Sequence, residues 1–311
     1  MEKTSKIFVS GHRGLVGSAI LRRLEQDGYS NLVTRTRDEL DLLDEKAVAQ
    51  FFAKEKPEYV FSAAAKVGGI LANDTYPADF IYQNLVIQNN LIHNSYLAGV
   101  KKFLFLGSSC VYPRLSQQPI KEEYLLTGDL EPTNRAYAIA KISGIIECQS
   151  YNRQYGTHFI SAMPTNLYGP NDNFDPKTSH VVPALIRKFH EAKISGASTV
   201  TLWGTGTPRR EFLYIDDVAS ACVFLMITEH NFDLINIGTG TDITIKNFAE
   251  LVKKITGFTG RIKWDTTKPD GVPRKLLDVG RLHSLGWQHK ISLEEGVEKI
   301  YDFFRKNIAT A

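Results

Sequence analysis

The chain has 311 residues, 43% hydrophobic and 23% charged, a profile that excludes intrinsic disorder and suits about two globular domains. A net charge of +3 excludes nucleic-acid binding by bulk electrostatics. Three widely spaced cysteines, Cys110, Cys148 and Cys222, with no C-x-x-C argue against a disulfide framework and a zinc site, and no metal is expected.

The chain reaches a strand-like run almost at once, without an apolar leader, and its longest apolar stretch, 218–227, is about half the length that crosses a bilayer. A soluble, cytoplasmic protein with no membrane segment is expected. In chain order, Lys6–Ser10 reads as a buried strand. Leu15–Gln26 reads as a helix, with Val16, Ala19, Ile20 and Leu24 at helical spacing and Gly28 as its stop. Asn31–Thr34 is a second, short strand. A helix over Asp44–Lys54, a strand at Tyr59–Phe61, a helix over Pro77–Leu97, a strand at Phe103–Leu106 and a helix over Ala136–Tyr155 follow. The alternation predicts an α/β fold: a Rossmann-type doubly wound parallel sheet whose ligands sit at the carboxyl ends of its strands. Beyond residue 170, strands at Val200–Trp203 and Leu234–Ile237 mix with helices over Val181–Ala192, Asp217–Ile227 and Ile245–Ile255. That texture predicts a smaller C-terminal α/β lobe. Residues 1–170 are expected to form the cofactor domain and 171–311 mainly the substrate lobe, with segments exchanged between them.

The turn Gly11-His12-Arg13-Gly14-Leu15-Val16-Gly17 joins the first strand to the first helix. Glycines let the backbone turn tightly and approach a pyrophosphate, and the helix N-terminus offers free N–H groups and a favourable dipole. In a strand–turn–helix context this spacing points to a dinucleotide, whereas alone it is only a tight turn. An acid ending the second strand would hold the ribose hydroxyls of NAD. Here that strand ends Thr34-Arg35-Thr36-Arg37, and Arg13 lies in the turn itself. Two guanidiniums suit a 2′-phosphate, so NADP(H) is the expected cofactor. Asp38 and Asp41 are placed to touch the adenine or to cap a turn.

Tyr137 and Lys141 are four apart on a predicted helix and share a face. The lysine's charge is expected to lower the phenol's pKa, tuning the tyrosine to donate a proton to a carbonyl oxygen as hydride arrives. Ser108, ending the fourth strand, can polarise the same carbonyl. With the glycine turn, these residues resemble the extended short-chain dehydrogenase/reductases that act on nucleotide sugars, over nearly the whole chain. Stretches 63–69, 75–80, 107–113, 164–170 and 268–271 are similar to the GDP-L-fucose synthase branch of that family. The resemblance implies GDP-4-keto-6-deoxy-D-mannose as substrate, 3,5-epimerisation and NADPH-dependent 4-keto reduction at one site, and a homodimer formed through the helices over 78–97 and 136–155. It places catalysis on Ser108, Cys110, Tyr137, Lys141 and His180. It places cofactor contacts on the 11–17 turn, Arg37, Asp41, Leu42, Leu106, Gly107, Ser108, Ser109, Lys141, Pro164, Asn166, Leu167 and His180. Substrate contacts fall on Lys188, Trp203, Arg210 and Asp270.

Sugar-nucleotide dehydratases of the superfamily carry Ser-Thr-Asp-Glu-Val-Tyr at the end of the fourth strand. Ser109 and Cys110 replace that Asp–Glu pair here, which disfavours dehydration. Epimerising a carbon beside a ketone needs a base on one face and an acid on the other, and the resemblance gives these roles to Cys110 and His180. On residues alone, Cys110 also reads as a small buried hydrophobe, as Cys148 and Cys222 do, and His180 as a helix N-terminal cap. Asp216 reads as the N-cap of the helix that follows it, and Arg209 as a solvated charge. Asn166 is placed for the nicotinamide region or the substrate. His12, His158, His230, His283 and His289 read as surface residues, and His93 and His190 lie on helices. Competing readings are a GDP-L-colitose-type reductase, a 4-epimerase and an idle NADP-binding scaffold. The intact Ser108, Tyr137 and Lys141 weigh against the last.

Overall fold

The computed structural model describes residues 1–309 apart from Lys177 and Pro269, so the proline of the 268–271 stretch lies outside the described residues. Six strands form the main sheet: β1 (Ile7–Ser10), β2 (Leu32–Val33), β3 (Tyr59–Ser62), β4 (Lys102–Leu106), β5 (Phe159–Pro164) and β6 (Leu234–Ile237). Their order is β6-β5-β4-β3-β1-β2, and every neighbouring pair is parallel. The order reverses at β1, which opens a ligand crevice at the carboxyl ends of β1 and β3.

The strands are buried on both faces, which is why they read as continuous apolar runs rather than alternating ones. In β4, Leu104 and Leu106 face one helix layer while Phe103 and Phe105 face the other. The first layer holds α1 (Leu15–Gln26) and, from late in the chain, a long apolar helix over Ile215–Ile227; the second holds α2 (Glu45–Glu55), α3 (Pro77–Leu97) and α4 (Arg135–Tyr155). α1 buries Ala19, Ile20 and Leu24 and stops before Gly28, whose φ of +82° ends it. Asp44 caps α2 by accepting from the Ala47 N–H at 3.0 Å. β2 is shorter than expected, because it is an edge strand that pairs only with β1 over two residues.

Asp216 does not cap the Ile215–Ile227 helix. The helix starts two residues earlier than expected, with Tyr214 at the N-cap, and Asp216 sits in its first turn, bound to Arg22 of α1 at 3.0 Å. An acid there suits the helix dipole as well as a cap would, so its position in sequence does not separate the two.

The second lobe contains α5 (Val181–Ile194), helices over Ile245–Thr256 and Leu293–Asn307, and the parallel pair Thr199–Trp203 and Arg261–Asp265. A small three-stranded sheet runs Ile243–Thr244, Arg209–Arg210, Arg274–Lys275. The lobe's core is continuous with the α1 side of the main sheet. Among the described residues no helix is long and apolar enough to cross a membrane.

Glu211 fastens the lobe to the sheet. Its side chain is fully buried and accepts from the backbone N–H of Thr239 at 2.6 Å, Gly240 at 2.8 Å and Leu277 at 3.0 Å. Its own carbonyl accepts from Asn166 Nδ2 at 2.7 Å. Burial raises the carboxyl's pKa while these donors oppose the rise. Replacing it leaves the buried Leu277 N–H and the partly buried Thr239 and Gly240 N–H groups without their acceptor. Glu211→Leu is therefore expected to lower the unfolding free energy by at least about 3 kcal/mol. Chemical denaturation checks this, and a loss below about 1 kcal/mol contradicts it.

Candidate active site

The glycine turn is built partly by packing and partly for access. Gly11 has φ +68°, and a Cβ there would lie 2.8 Å from the Ala63 and Ala64 backbone. A Cβ on Gly17 would run into the Gly11 carbonyl. Gly14 has an ordinary φ of −81°, stands exposed, and would bring a Cβ no closer than 3.4 Å to anything. The start of α1 has neither a side-chain cap nor an acid in its first turn. Open N–H groups, a bare glycine backbone and an exposed Arg13 fit a pyrophosphate. Arg35 is committed to Glu55 at 2.7 Å. Arg37 is 73% exposed and only loosely paired, 3.8 Å from Asp41. Arg13 and Arg37 are thus the guanidiniums open to a 2′-phosphate. Asp41 accepts from the Leu43 N–H at 3.0 Å, capping a turn, while the Leu42 carbonyl accepts from Asn90 Nδ2 at 2.9 Å.

The end of β4 carries the polar cluster. Lys141 is buried, its Nζ donating to the Leu106 carbonyl at 2.8 Å and lying 4.7 Å from the Phe105 ring centre. A side chain on Gly107 would strike Met163. Ser108 caps the 3₁₀ turn Ser109–Val111, its hydroxyl accepting from the Cys110 N–H at 3.3 Å, and it also hydrogen-bonds the Tyr137 phenol. Burial pushes the Tyr137 pKa up, the nearby Cys110 adds to the rise, and the Ser108 bond opposes it. The expected lowering by Lys141 is not found. The ammonium is turned to Leu106, 6.0 Å from the Tyr137 ring centre, and burial brings its own pKa down to about 8. Tyr137 therefore holds its proton at neutral pH, the form a proton donor needs. Lys275, which no local motif marks, donates to Cys110 Sγ at 3.6 Å.

His180 is the N-cap residue of α5, but its side chain makes no cap bond. Solvent reaches it, yet desolvation by its surroundings lowers its pKa, so the imidazole is neutral at physiological pH. The carbonyls just before it abut the 68–69 loop: a Cβ on Gly69 would lie 3.1 Å from Thr178 O. The structure brings Ser108, Cys110 and Tyr137 together but makes no hydrogen bond between His180 and Cys110. Asp172, not singled out by sequence, has its carboxyl pushed up to about 7 by burial.

On the substrate side, Trp203 ends its strand 66% exposed, with Lys268 Nζ 5.7 Å from its ring centre. The Asp270 carboxylate accepts from Thr205 N–H at 2.7 Å and Thr205 Oγ1 at 2.8 Å. Desolvation lowers the Arg210 pKa, and Asp270 opposes that fall. Lys188 is exposed on α5, Pro164 ends β5, and Leu167 is half-buried in the short strand Asn166–Tyr168. Arg209 is not merely solvated: it shares the Asp242 carboxylate with Arg274. Of the histidines read as surface residues, His158 is exposed, while His12, His230, His283 and His289 are half-buried. His93 and His190 hydrogen-bond Tyr151 and Tyr301 from their helices, and Cys148 and Cys222 are fully buried.

Residues 7–238 match the NAD dependent epimerase/dehydratase family. GDP-L-fucose synthase 1 of Arabidopsis thaliana is 60% identical over 99% of this chain and 95% of its own length. GDP-L-fucose synthase of Escherichia coli K12 is 57% identical over 97% of each. A crystal structure of a GDP-L-fucose synthetase from Naegleria fowleri bound to NADP superposes with a TM-score of 0.91 at 30% identity, covering 100% of this chain and 97% of that one.

Lys141 gives the site a pH signature. An unfolded lysine titrates near 10.5 and the buried one near 8, so between these values the unfolded chain binds the extra proton and stability rises with pH. Below that window the buried charge costs stability. Lys141→Met is expected to gain up to about 3 kcal/mol at neutral pH, the gain shrinking as pH rises through the window. Denaturation curves at neutral and alkaline pH check this, and no gain at either contradicts it.

Proposed function

The chain belongs to the NAD dependent epimerase/dehydratase family, and from that premise we propose that it converts GDP-4-keto-6-deoxy-D-mannose to GDP-L-fucose with NADPH, by 3,5-epimerisation followed by 4-keto reduction. The identity to GDP-L-fucose synthases supports the substrate and the product. One observation in the site carries the two-step chemistry. Cys110 lies two residues from Ser108 and close enough to Tyr137 for its charge to act on the phenol. A thiol able to exchange protons and a phenol able to donate one thus border a single small volume.

The 11–17 turn and the start of α1 would hold the cofactor's pyrophosphate, Arg13 and Arg37 its 2′-phosphate, and residues near Leu106–Ser109, Lys141, Pro164–Leu167 and His180 its nicotinamide end. Bound there, NADPH supplies the hydride for C4. The protein's own residues manage protons and charge. Cys110 and His180 remove and return the protons at C3 and C5; the electron pair left on carbon moves into the C4 carbonyl as an enolate. Ser108 polarises the C4 oxygen, and Tyr137 passes its proton to that oxygen as it becomes an alkoxide. Lys141, bound to the Leu106 carbonyl, secures the end of β4 beside the phenol. Lys188 and Arg210 bind the diphosphate. The exposed Trp203 offers a flat face to the base, and Asp270 accepts from a hydroxyl or from guanine N–H groups.

Leu97 of α3 and Ile139 and Ile146 of α4 remain exposed on the outer helix layer, which supports a homodimer formed through these two helices. Use of NADPH and a nucleotide sugar supports a cytoplasmic location. Sedimentation at micromolar concentration is expected to give twice the 34.9 kDa chain mass; a single-chain mass contradicts the dimer.

Two substitutions separate the steps. Tyr137→Phe is expected to cut NADPH oxidation by at least about 100-fold while solvent deuterium still enters the substrate at C3 and C5. Cys110→Ser is expected to abolish that uptake. Near-normal reduction in the first variant, or unchanged uptake in the second, contradicts the corresponding role.

A further inference from the structure

The small sheet of the second lobe sorts its cations by face. Arg209 and Arg274 are register partners, and both bind the Asp242 carboxylate. Side chains alternate along a strand, so the next register pair, Arg210 and Lys275, projects from the opposite face. From there Lys275 Nζ reaches Cys110 Sγ.

The strand that carries Lys275 is fixed on both sides. The Arg209 N–H donates to the Pro273 carbonyl at 2.8 Å, and the Leu277 N–H to Glu211 at 3.0 Å. On the other side the Leu276 N–H donates to Gln118 Oε1 at 2.8 Å, and the Ile120 N–H to the Leu276 carbonyl at 2.8 Å. Residues 118–120 closely follow the Cys110 turn, so the lysine and the sulfur are tied to one framework. Arg114, Glu131, Arg274 and Lys275 line the same small cavity beside Cys110, with Tyr137 near the sulfur as well. Arg114 is matched by Glu131 at 3.2 Å and Arg274 by Asp242. Among the described residues no carboxylate pairs with Lys275.

We infer that Lys275 is a positioning residue of the epimerising site: its ammonium holds Cys110 Sγ in place and supplies the unmatched positive charge beside which that sulfur accepts and returns the substrate's protons. The inference rests on the proposed role of Cys110. A proton leaves C3 or C5 for the sulfur, its electron pair stays with the substrate, and a proton returns to carbon, so the exchange needs no added reactant. The ammonium's charge is balanced against the sulfur's only while the sulfur is a thiolate.

The test uses the full chain and three variants, Lys275→Met, Lys275→Gln and Lys275→Arg. Iodoacetamide labelling of Cys110 at neutral pH is followed by peptide mass spectrometry, with buried Cys148 and Cys222 as internal controls for folding. Deuterium uptake by GDP-4-keto-6-deoxy-D-mannose is followed by NMR. Met and Gln are expected to slow both labelling and uptake by about tenfold or more, with NADPH binding unchanged, and Arg to stay within about threefold of wild type. The Gln variant carries the test if Met fails to fold. Wild-type labelling and uptake in a folded Met or Gln variant overturn the inference. Uptake lost in Cys110→Ser but normal in those variants overturns it alone, whereas uptake that persists in Cys110→Ser overturns the proposed role of Cys110 with it.

Discussion

The Glu211 carboxylate gathers backbone donors from the loop after β6 and from the segment after Lys275, while its own backbone holds Asn166 beyond β5. A buried acid of this kind is costly unless every lone pair is used, and here the donors come from segments far apart in sequence. The arrangement therefore acts as a registration device. It sets the second lobe against the carboxyl ends of the main sheet, where the glycine turn and the β4 cluster lie. It also sets the strand that bears Arg210 and Lys275. The geometry on both sides of the proposed substrate site depends on this one group.

Desolvation then decides which groups in the site carry protons. It keeps Tyr137 protonated, keeps His180 neutral, weakens the hold of Lys141 on its proton and pushes the Asp172 carboxyl upward. One physical cause thus produces a proton donor and a neutral imidazole able to give or take a proton. Arg13, Arg37 and Lys188 lie outside this desolvated cluster, exposed to solvent. At Lys141 burial works against the fold, while its ammonium still secures the Leu106 carbonyl at the end of β4.

Local pattern placed the first four strands and α1 to α4, but it missed β5 and gave Leu234–Ile237 and the helix over 215–227 to the second lobe, whereas they complete the main sheet and its α1 layer. Apolar periodicity and glycine stops placed α1 and α3 to the residue, and the glycine turn is legible because its chemistry is contiguous. Properties that depend on distant neighbours were not legible. The Tyr137–Lys141 spacing puts both residues on one helix, but it carries no information on burial and so does not give the direction of the phenol's shift. Sequence position does not separate a cap from a first-turn acid at Asp216, because an acid serves equally in either place. Glu211 and Lys275 carry no motif: each matters through register partners and loops that only the folded chain assembles.

The central claim is that one site both epimerises and reduces. The most direct measurement is to incubate the protein with GDP-4-keto-6-deoxy-D-mannose and NADPH in heavy water, follow the loss of reduced-nicotinamide absorbance, and identify the sugar by NMR. The account predicts one NADPH consumed per GDP-L-fucose formed, with deuterium at C3 and C5. NADPH loss that yields an unepimerised GDP-6-deoxyhexose without deuterium at those carbons would contradict it.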